Sequence, residues 1–203
     1  MANVFFFEGD CEDKSLLGNK GANLVTMTRL GLPVPPGFVL SIEAYKEYQR
    51  KGKLPLEEIE QALSWLTKKT GKKLGKDLLV SVRSSAPASM PGMMDTLLNL
   101  EDSAKIIAAL KRVFDSWDNL RAVEYRRLNQ IPSDLGTSAI VQAMVFGNKN
   151  KKSGTGTGSG IIRNHDYDFI ILIETIAEGG TSNRGSQATG YSLSLIVKTF
   201  YIF

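Results

Sequence analysis

Residues 79–96 read LVSVRSSAPASMPGMMDT, an apolar segment followed by a loop of small residues. The segment from Leu78 to Val82 predicts a short strand that ends directly before Arg83. The planar guanidinium of an arginine suits phosphate oxygens, and a loop of serine and glycine lets backbone N–H groups approach an anion. The residues alone leave two interpretations open, a phosphate-binding loop and an ordinary surface turn.

The run SVRSSAPASMPGMMDT resembles the glycine-rich phosphate loop of the pyruvate, phosphate dikinases, which make phosphoenolpyruvate from pyruvate, ATP and phosphate. Within it, SMPGMMDT is specific to that family, because the related phosphoenolpyruvate synthases and rifampicin phosphotransferases share the VRSS-type strand but have a different loop. The resemblance implies that ATP phosphates are contacted here by Arg83, Ser89, Gly92, Met93, Asp95 and Thr96.

An earlier segment surrounds Lys20 with glycines. Apolar spacing predicts a helix from about Gly21 to Leu30, and free N–H groups at its start favour an anion. From the residues alone, Lys20 is either a surface lysine or a phosphate ligand. The segments GNKGANL and GLPVPPGF resemble the opening of the same family, which implies that Lys20 contacts the nucleotide phosphates.

Two later segments complete the predicted nucleotide site. SAIVQAMVFGN, residues 138–148, predicts a strand and resembles the family's adenine-side hinge, which implies roles for Gln142, Met144 and Val145, although an ordinary core strand is the alternative. The turn SGTG resembles a family turn that lies against the phosphates. It comprises Ser153, Gly154, Thr155 and Gly156.

The remaining pattern is mainly helical scaffold. Helices are predicted at about residues 42–50, 56–70, 103–117 and 121–128, with Asp102 or Ser103 capping the third. Trp65, Trp117 and Tyr125 are expected to pack in the interior. The arginines at 121, 126 and 127 could be surface charges or could face the cleft. Typical family members carry a helical insert after LNL, and this chain resembles the shorter form of the water dikinases there.

Composition narrows the function classes. The net charge is +4, the charged share is 23%, and the basic residues accompany no nucleic-acid-binding motif. No apolar run is long enough to span a membrane, and the N-terminus lacks the features of a signal peptide. A single cysteine excludes an internal disulfide and fits a reducing compartment. We therefore expect a cytoplasmic protein without nucleic-acid or membrane partners.

These observations predict an α/β (α+β) fold resembling a two-lobed ATP-grasp domain, with a mixed sheet and an incomplete C-terminus. Residues 1–137 would form the first lobe, and residues 138–203 the hinge strand and part of the second. The implied function is the ATP-binding region of a pyruvate, phosphate dikinase-like enzyme that phosphorylates a histidine carrier; the chain alone is expected to be inactive. A water dikinase-type fragment and a degenerate nucleotide-binding module are the alternatives.

The resemblance implies ATP and Mg²⁺ as cofactors, although this chain lacks the segment ending in LQTR in which the family's metal-binding carboxylates lie. Glu174 and Glu178 are the candidate metal ligands. The full-length enzyme is expected to add a phosphohistidine domain and a phosphoenolpyruvate/pyruvate barrel, with a homodimer possible.

Overall fold

The computed structural model describes residues 3–146, 156–164 and 167–175. Its helices and strands follow in the order β1 (Val4–Phe6), α1 (Lys14–Arg29), β2 (Gly37–Leu40), α2 (Ile42–Lys51), α3 (Leu56–Thr70), β3 (Val80–Ser85), β4 (Thr96–Leu100), α4 (Ser103–Asp115), α5 (Leu120–Leu128), β5 (Ser138–Ala143), β6 (Gly156–Asn164) and β7 (Tyr167–Thr175). Short 3₁₀ turns occupy Ser116–Asp118 and Ser133–Leu135.

The first five strands form one sheet in the order β1-β2-β5-β3-β4. Every neighbouring pair in it is antiparallel. The predicted α/β (α+β) class is confirmed, but the mixed sheet is corrected to an antiparallel one for these strands. Strand β5 lies between β2 and β3 and runs antiparallel to both. The order and direction of strands that are separated by helices cannot be inferred from the apolar pattern of each strand alone.

Alternation along β3 gives the sheet two distinct faces. Val80 and Val82 are buried in the main apolar core, to which α2, α3 and α4 also contribute. Arg83 and Ser85 lie on the opposite face. Helix α1 covers that face, where Gly21 packs closely against Val39 of β2. Arg83 and Ser85 are therefore directed toward α1.

Most predicted helix bounds agree closely with the structure, and the differences occur near the site. Helix α3 has the predicted bounds, and Asp102 caps α4. Helix α1 begins at Lys14 instead of Gly21 and contains a kink. Arg83 lies within β3 instead of after it, and β5 ends at Ala143, short of the predicted Asn148.

The aromatic residues predicted to pack do so to different degrees. Trp117 is fully buried against Tyr45, and Tyr125 is half-buried beside the core. Trp65 is half-buried and contacts Phe6, with 4.3 Å between ring centroids.

Contacts divide the chain after Met144 into two compact units. The first contains the five-stranded sheet and all the described helices, and the second contains the antiparallel β6–β7 hairpin. Strand β5 belongs to the sheet of the first unit, and the predicted lobe boundary at Ser138 stays a prediction.

Candidate functional site

A kink in α1 brings its first residues against the end of β3. Gly18 has φ +68° and ψ 173°, a conformation essentially reserved for glycine. A Cβ atom placed on it would lie 1.8 Å from the carbonyl oxygen of Ser85. The next residue, Asn19, donates its backbone N–H to the carbonyl of Ala86 at 2.9 Å. Only glycine permits this approach, so Gly18 fixes the distance between the two segments.

Buried hydroxyl groups hold the kink in place. Ser85 Oγ donates to the carbonyl of Leu17 at 3.0 Å and accepts the N–H of Gly21 at 3.0 Å. Ser138, at the start of β5, donates to the same Leu17 carbonyl at 2.6 Å. These bonds satisfy backbone groups that the kink removes from regular helix pairing. The segments around Lys20, Arg83 and β5 therefore form one small polar centre.

Lys20 and Arg83 come together on the α1 side of the sheet. Burial lowers the pKa of Lys20 below its ordinary value, and the positive charge of Arg83 lowers it further. Both causes act in the same direction, because desolvation and a neighbouring cation each disfavour the ammonium form. The charge of an anion bound between the two side chains would offset both effects by stabilising the ammonium form, so the electrostatics of this point favour a negatively charged ligand.

Gln142 holds the guanidinium of Arg83. Its side-chain oxygen accepts a hydrogen bond from Arg83 Nη2, and its side-chain nitrogen donates to the carbonyl of Pro35 at 3.0 Å. Gln142 lies opposite Ser81 in the β3–β5 ladder, diagonal to Arg83 and on the same face. Because the amide is buried and engaged at both ends, it orients Arg83. The adenine-side role expected for Gln142 stays a prediction.

A small pocket opens beside Lys20, with a volume of about 40 Å³. It is lined by Asn19, Lys20, Ser84, Ala86, Ala88, Ser89, Met90, Pro91 and Met94. No acidic side chain is among these residues, and the pocket is far smaller than the roughly 300–1,000 Å³ of sites that enclose a whole ligand. Of the predicted phosphate residues, it therefore brings together Lys20 and Ser89, with Arg83 close by.

The other predicted loop residues lie along the loop beyond this pocket. Gly92 is exposed with φ +71°, and Met93 is half-buried. Thr96 is exposed and pairs with Arg83 across the β3–β4 ladder. The carboxylate of Asp95 accepts hydrogen bonds from two arginines and does not face the pocket. Their predicted phosphate contacts stay predictions.

Several predicted residues fall outside what the structure describes. Ser153, Gly154, Thr155 and Glu178 lie outside the described residues. Gly156 begins β6 and Glu174 lies in β7, where only the backbone is described. On the adenine side, Met144 and Val145 follow β5 and are half-buried, and Met144 donates its N–H to the carbonyl of Leu79 at 2.9 Å.

The arginines left open by the sequence have distinct positions. Arg126 is buried, with its guanidinium 4.1 Å from the Trp117 ring centroid and Nη1 donating to the Trp117 carbonyl at 2.5 Å. Arg127 is exposed and pairs with Glu124 in the same helix. Arg121 contacts Asp95. Arg126 therefore stabilises the fold, and Arg127 is a surface charge.

Comparison with known proteins agrees with this geometry. A family profile described as "Pyruvate phosphate dikinase, AMP/ATP-binding domain" matches residues 50–167, more than half of the chain. The chain belongs to this family. The matched region includes the phosphate-loop segment, Arg83 and β5, and it begins after Lys20. The predicted membership of the pyruvate, phosphate dikinase family is thereby confirmed.

Individual relatives carry the same family name. Pyruvate, phosphate dikinase of Clostridium symbiosum is 34% identical over 245 residues, which cover 73% of this chain and 28% of the relative. The enzyme of Entamoeba histolytica is 46% identical over 135 residues, covering 63% of this chain and 15% of the relative. The chloroplastic enzyme of Flaveria trinervia is 33% identical over 241 residues, which cover 72% of this chain and 25% of the relative.

The alignments also show how these family members differ in length. The chain spans about a quarter of the length of the Clostridium and Flaveria enzymes. The 245-residue alignment is longer than the whole 203-residue chain, so the Clostridium enzyme contains residues with no counterpart here. This is the result expected if that relative carries an insert that the present chain lacks.

A cluster of metal ligands is absent from the described residues. Within them, no group of three or more histidine, cysteine or acidic side chains could hold a metal. Asp95, the carboxylate nearest the phosphate loop in sequence, is engaged by arginines. Mg²⁺ prefers oxygen ligands, and the described lining of the pocket beside Lys20 offers no carboxylate.

Among the described residues, no helix has the length and apolar character needed to cross a bilayer.

Proposed function

We propose that this chain is the ATP-binding part of a pyruvate, phosphate dikinase-like enzyme, and that Lys20 and Arg83 bind the phosphates of ATP. The observation that carries the proposal is the placement of Lys20, which lies close enough to Arg83 to be influenced by its charge and lines a pocket with no acidic residue among its described lining residues. The family match supports nucleotide as the ligand. The pocket volume fits part of a phosphate chain but not a whole nucleotide.

Each residue has a role that follows from its surroundings. Lys20 supplies a partly desolvated ammonium group, whose attraction to phosphate is stronger than that of a fully hydrated lysine. Arg83 supplies a planar guanidinium whose orientation is fixed in advance by Gln142. Gly18 and Ser85 keep Lys20 at the end of β3. Because these contacts lie within the fold itself and restrict both side chains, little conformational freedom would be lost on binding.

The finer parts of the proposal concern the whole enzyme. The two compact units would correspond to two lobes of an ATP-grasp domain, with Met144 and Val145 on the adenine side. ATP would phosphorylate a histidine carrier on another domain, and a barrel domain would pass the group to pyruvate. Mg²⁺ would accompany the ATP phosphates, with Glu174 and Glu178 as candidate ligands. A homodimer and a cytoplasmic location remain part of this proposal, although the Flaveria relative is named chloroplastic.

Calorimetric titration with ATP tests the proposal. Arg83→Ala should weaken binding about tenfold or more, since a hydrogen bond to a charged group contributes roughly 1.5–3 kcal/mol. Arg127→Ala is the matched control, because that arginine is exposed and pairs only within its own helix in the described structure. Equal losses from the two substitutions, or a folded wild-type protein that binds no ATP at millimolar concentration, would contradict the proposal.

A further inference from the structure

Two arginines converge on the carboxylate at the end of the phosphate-loop segment. Arg112 Nε donates to one oxygen of Asp95 at 2.8 Å, and Arg121 Nη2 donates to the other at 2.5 Å. Arg121 Nε also donates to the carbonyl of Met93 at 2.8 Å. One guanidinium therefore binds the loop backbone and the loop carboxylate together, a geometry that lysine cannot reproduce. Asp95, Arg112 and Arg121 are called the arginine clamp below.

The backbone strengthens this attachment. The N–H of Asp95 donates to Ser116 Oγ at 3.1 Å, and that hydroxyl donates to the carbonyl of Val113 at 2.6 Å. Ser116 is buried at the junction that follows α4. Side chain and main chain of Asp95 are therefore both fixed to the same corner of the helical layer, while Ser89 and Gly92 of the loop remain exposed.

We propose that Arg112 and Arg121 are positioning residues, which fix Asp95 and so hold the loop of residues 89–94 in the shape that binds phosphate. This inference rests on the proposed function. The side chain of Asp95 is only 16% exposed, and two cations compensate its charge, so it does not repel a phosphate nearby. The exposed arginines act through Asp95 and do not contact the ligand themselves.

Hydrogen exchange and nucleotide titration on the full chain test the clamp. The variants are Asp95→Asn, Arg121→Gln and their combination, with Arg127→Gln as the control and Arg121→Lys as the conservative variant. We expect faster amide exchange in residues 89–96 for the clamp variants. ATP should bind roughly twofold to fivefold more weakly, within the range of a single exposed ion pair, while adenosine affinity is unchanged. The double variant should lose less affinity than the sum of the two single losses, because the Asp95–Arg121 pair is removed in each single variant. Arg121→Lys should recover part of the loss.

Several outcomes would overturn the inference. If amide hydrogen exchange in residues 89–96 of the clamp variants is as slow as in the Arg127→Gln control, the arginines do not hold the loop. Faster exchange with unchanged ATP affinity would show that the loop does not serve the phosphates. Tighter ATP binding in Asp95→Asn would mean that the released arginines bind phosphate directly. A wild-type protein without ATP binding would refute the proposed function and the nucleotide role of the clamp, while exchange would still decide whether the loop is held.

Discussion

Replacing Gly18 by alanine tests whether the kink in α1 builds the site. At φ +68° and ψ 173°, the backbone occupies a region that costs a non-glycine residue about 1–3 kcal/mol. The added Cβ would also lie 1.8 Å from the Ser85 carbonyl oxygen and 2.4 Å from its Oγ, so backbone must move. That movement strains the bonds of Ser85 to Leu17 and Gly21, each worth about 1 kcal/mol. The expected loss in free energy of unfolding is about 3–5 kcal/mol.

Gly71→Ala is the matched control for this substitution. Gly71 also has positive φ, +65°, but a Cβ atom there meets nothing within 4 Å. Alanine at this position should therefore lower the free energy of unfolding by about 1–2 kcal/mol, the cost of holding a non-glycine residue in the left-handed backbone conformation. The contact with Ser85 and the ψ of 173° at Gly18, compared with 15° at Gly71, together make the difference between the two variants.

Urea unfolding followed by far-ultraviolet circular dichroism measures both variants. With a slope of about 2 kcal/mol per molar urea, the midpoint of Gly18→Ala should fall by about 1.5–2.5 M. The midpoint of Gly71→Ala should fall by less than about 1 M. Equal midpoints for the two variants would refute the claim that close contact between α1 and β3 fixes the position of Lys20.

Three further substitutions follow from the same contacts. Lys20→Met should raise the melting temperature at pH 7, because the folded protein then no longer holds a lysine whose pKa is lowered by folding. The gain in melting temperature should shrink as the pH rises past the lowered pKa and should vanish above pH 10.5. A gain that does not depend on pH would contradict this explanation. Arg126→Ala should lower the free energy of unfolding, measured with a chemical denaturant, by about 3 kcal/mol, since a buried cation–π contact and a charged hydrogen bond are lost. Arg127→Ala should change the same free energy by no more than about 0.5 kcal/mol. Gln142→Leu should weaken ATP binding in calorimetry by removing one hydrogen bond that orients the Arg83 guanidinium, and an unchanged affinity would refute the positioning role of Gln142.

The sequence was sufficient to predict the fold class and the main helices. Residues 56–70 show one apolar face and acidic and basic ends, so local pattern and final structure agree at α3. The family resemblance also located the Lys20 and Arg83 segments, which the structure brings together.

Other features depend on tertiary contacts that no local pattern contains. Arg126 and Arg127 are adjacent and chemically identical, yet only the first lies over Trp117 and is buried. The kink at Gly18 exists because Ser85 approaches it from a distant strand. Asp95 was predicted to contact phosphate, and its two arginine partners come from helices that the sequence alone could not place beside it.

The pKa of Lys20 with and without ATP tests the central claim most directly. It can be followed by NMR of lysine labelled with ¹³C at Cε, with Lys20→Arg identifying the signal. In the ligand-free protein, burial and Arg83 should hold this pKa below that of the exposed lysines. Saturating ATP should raise it, because phosphate charge stabilises the ammonium form. A Lys20 pKa that ATP leaves unchanged, in a sample shown to bind ATP, would contradict the placement of the phosphates between Lys20 and Arg83.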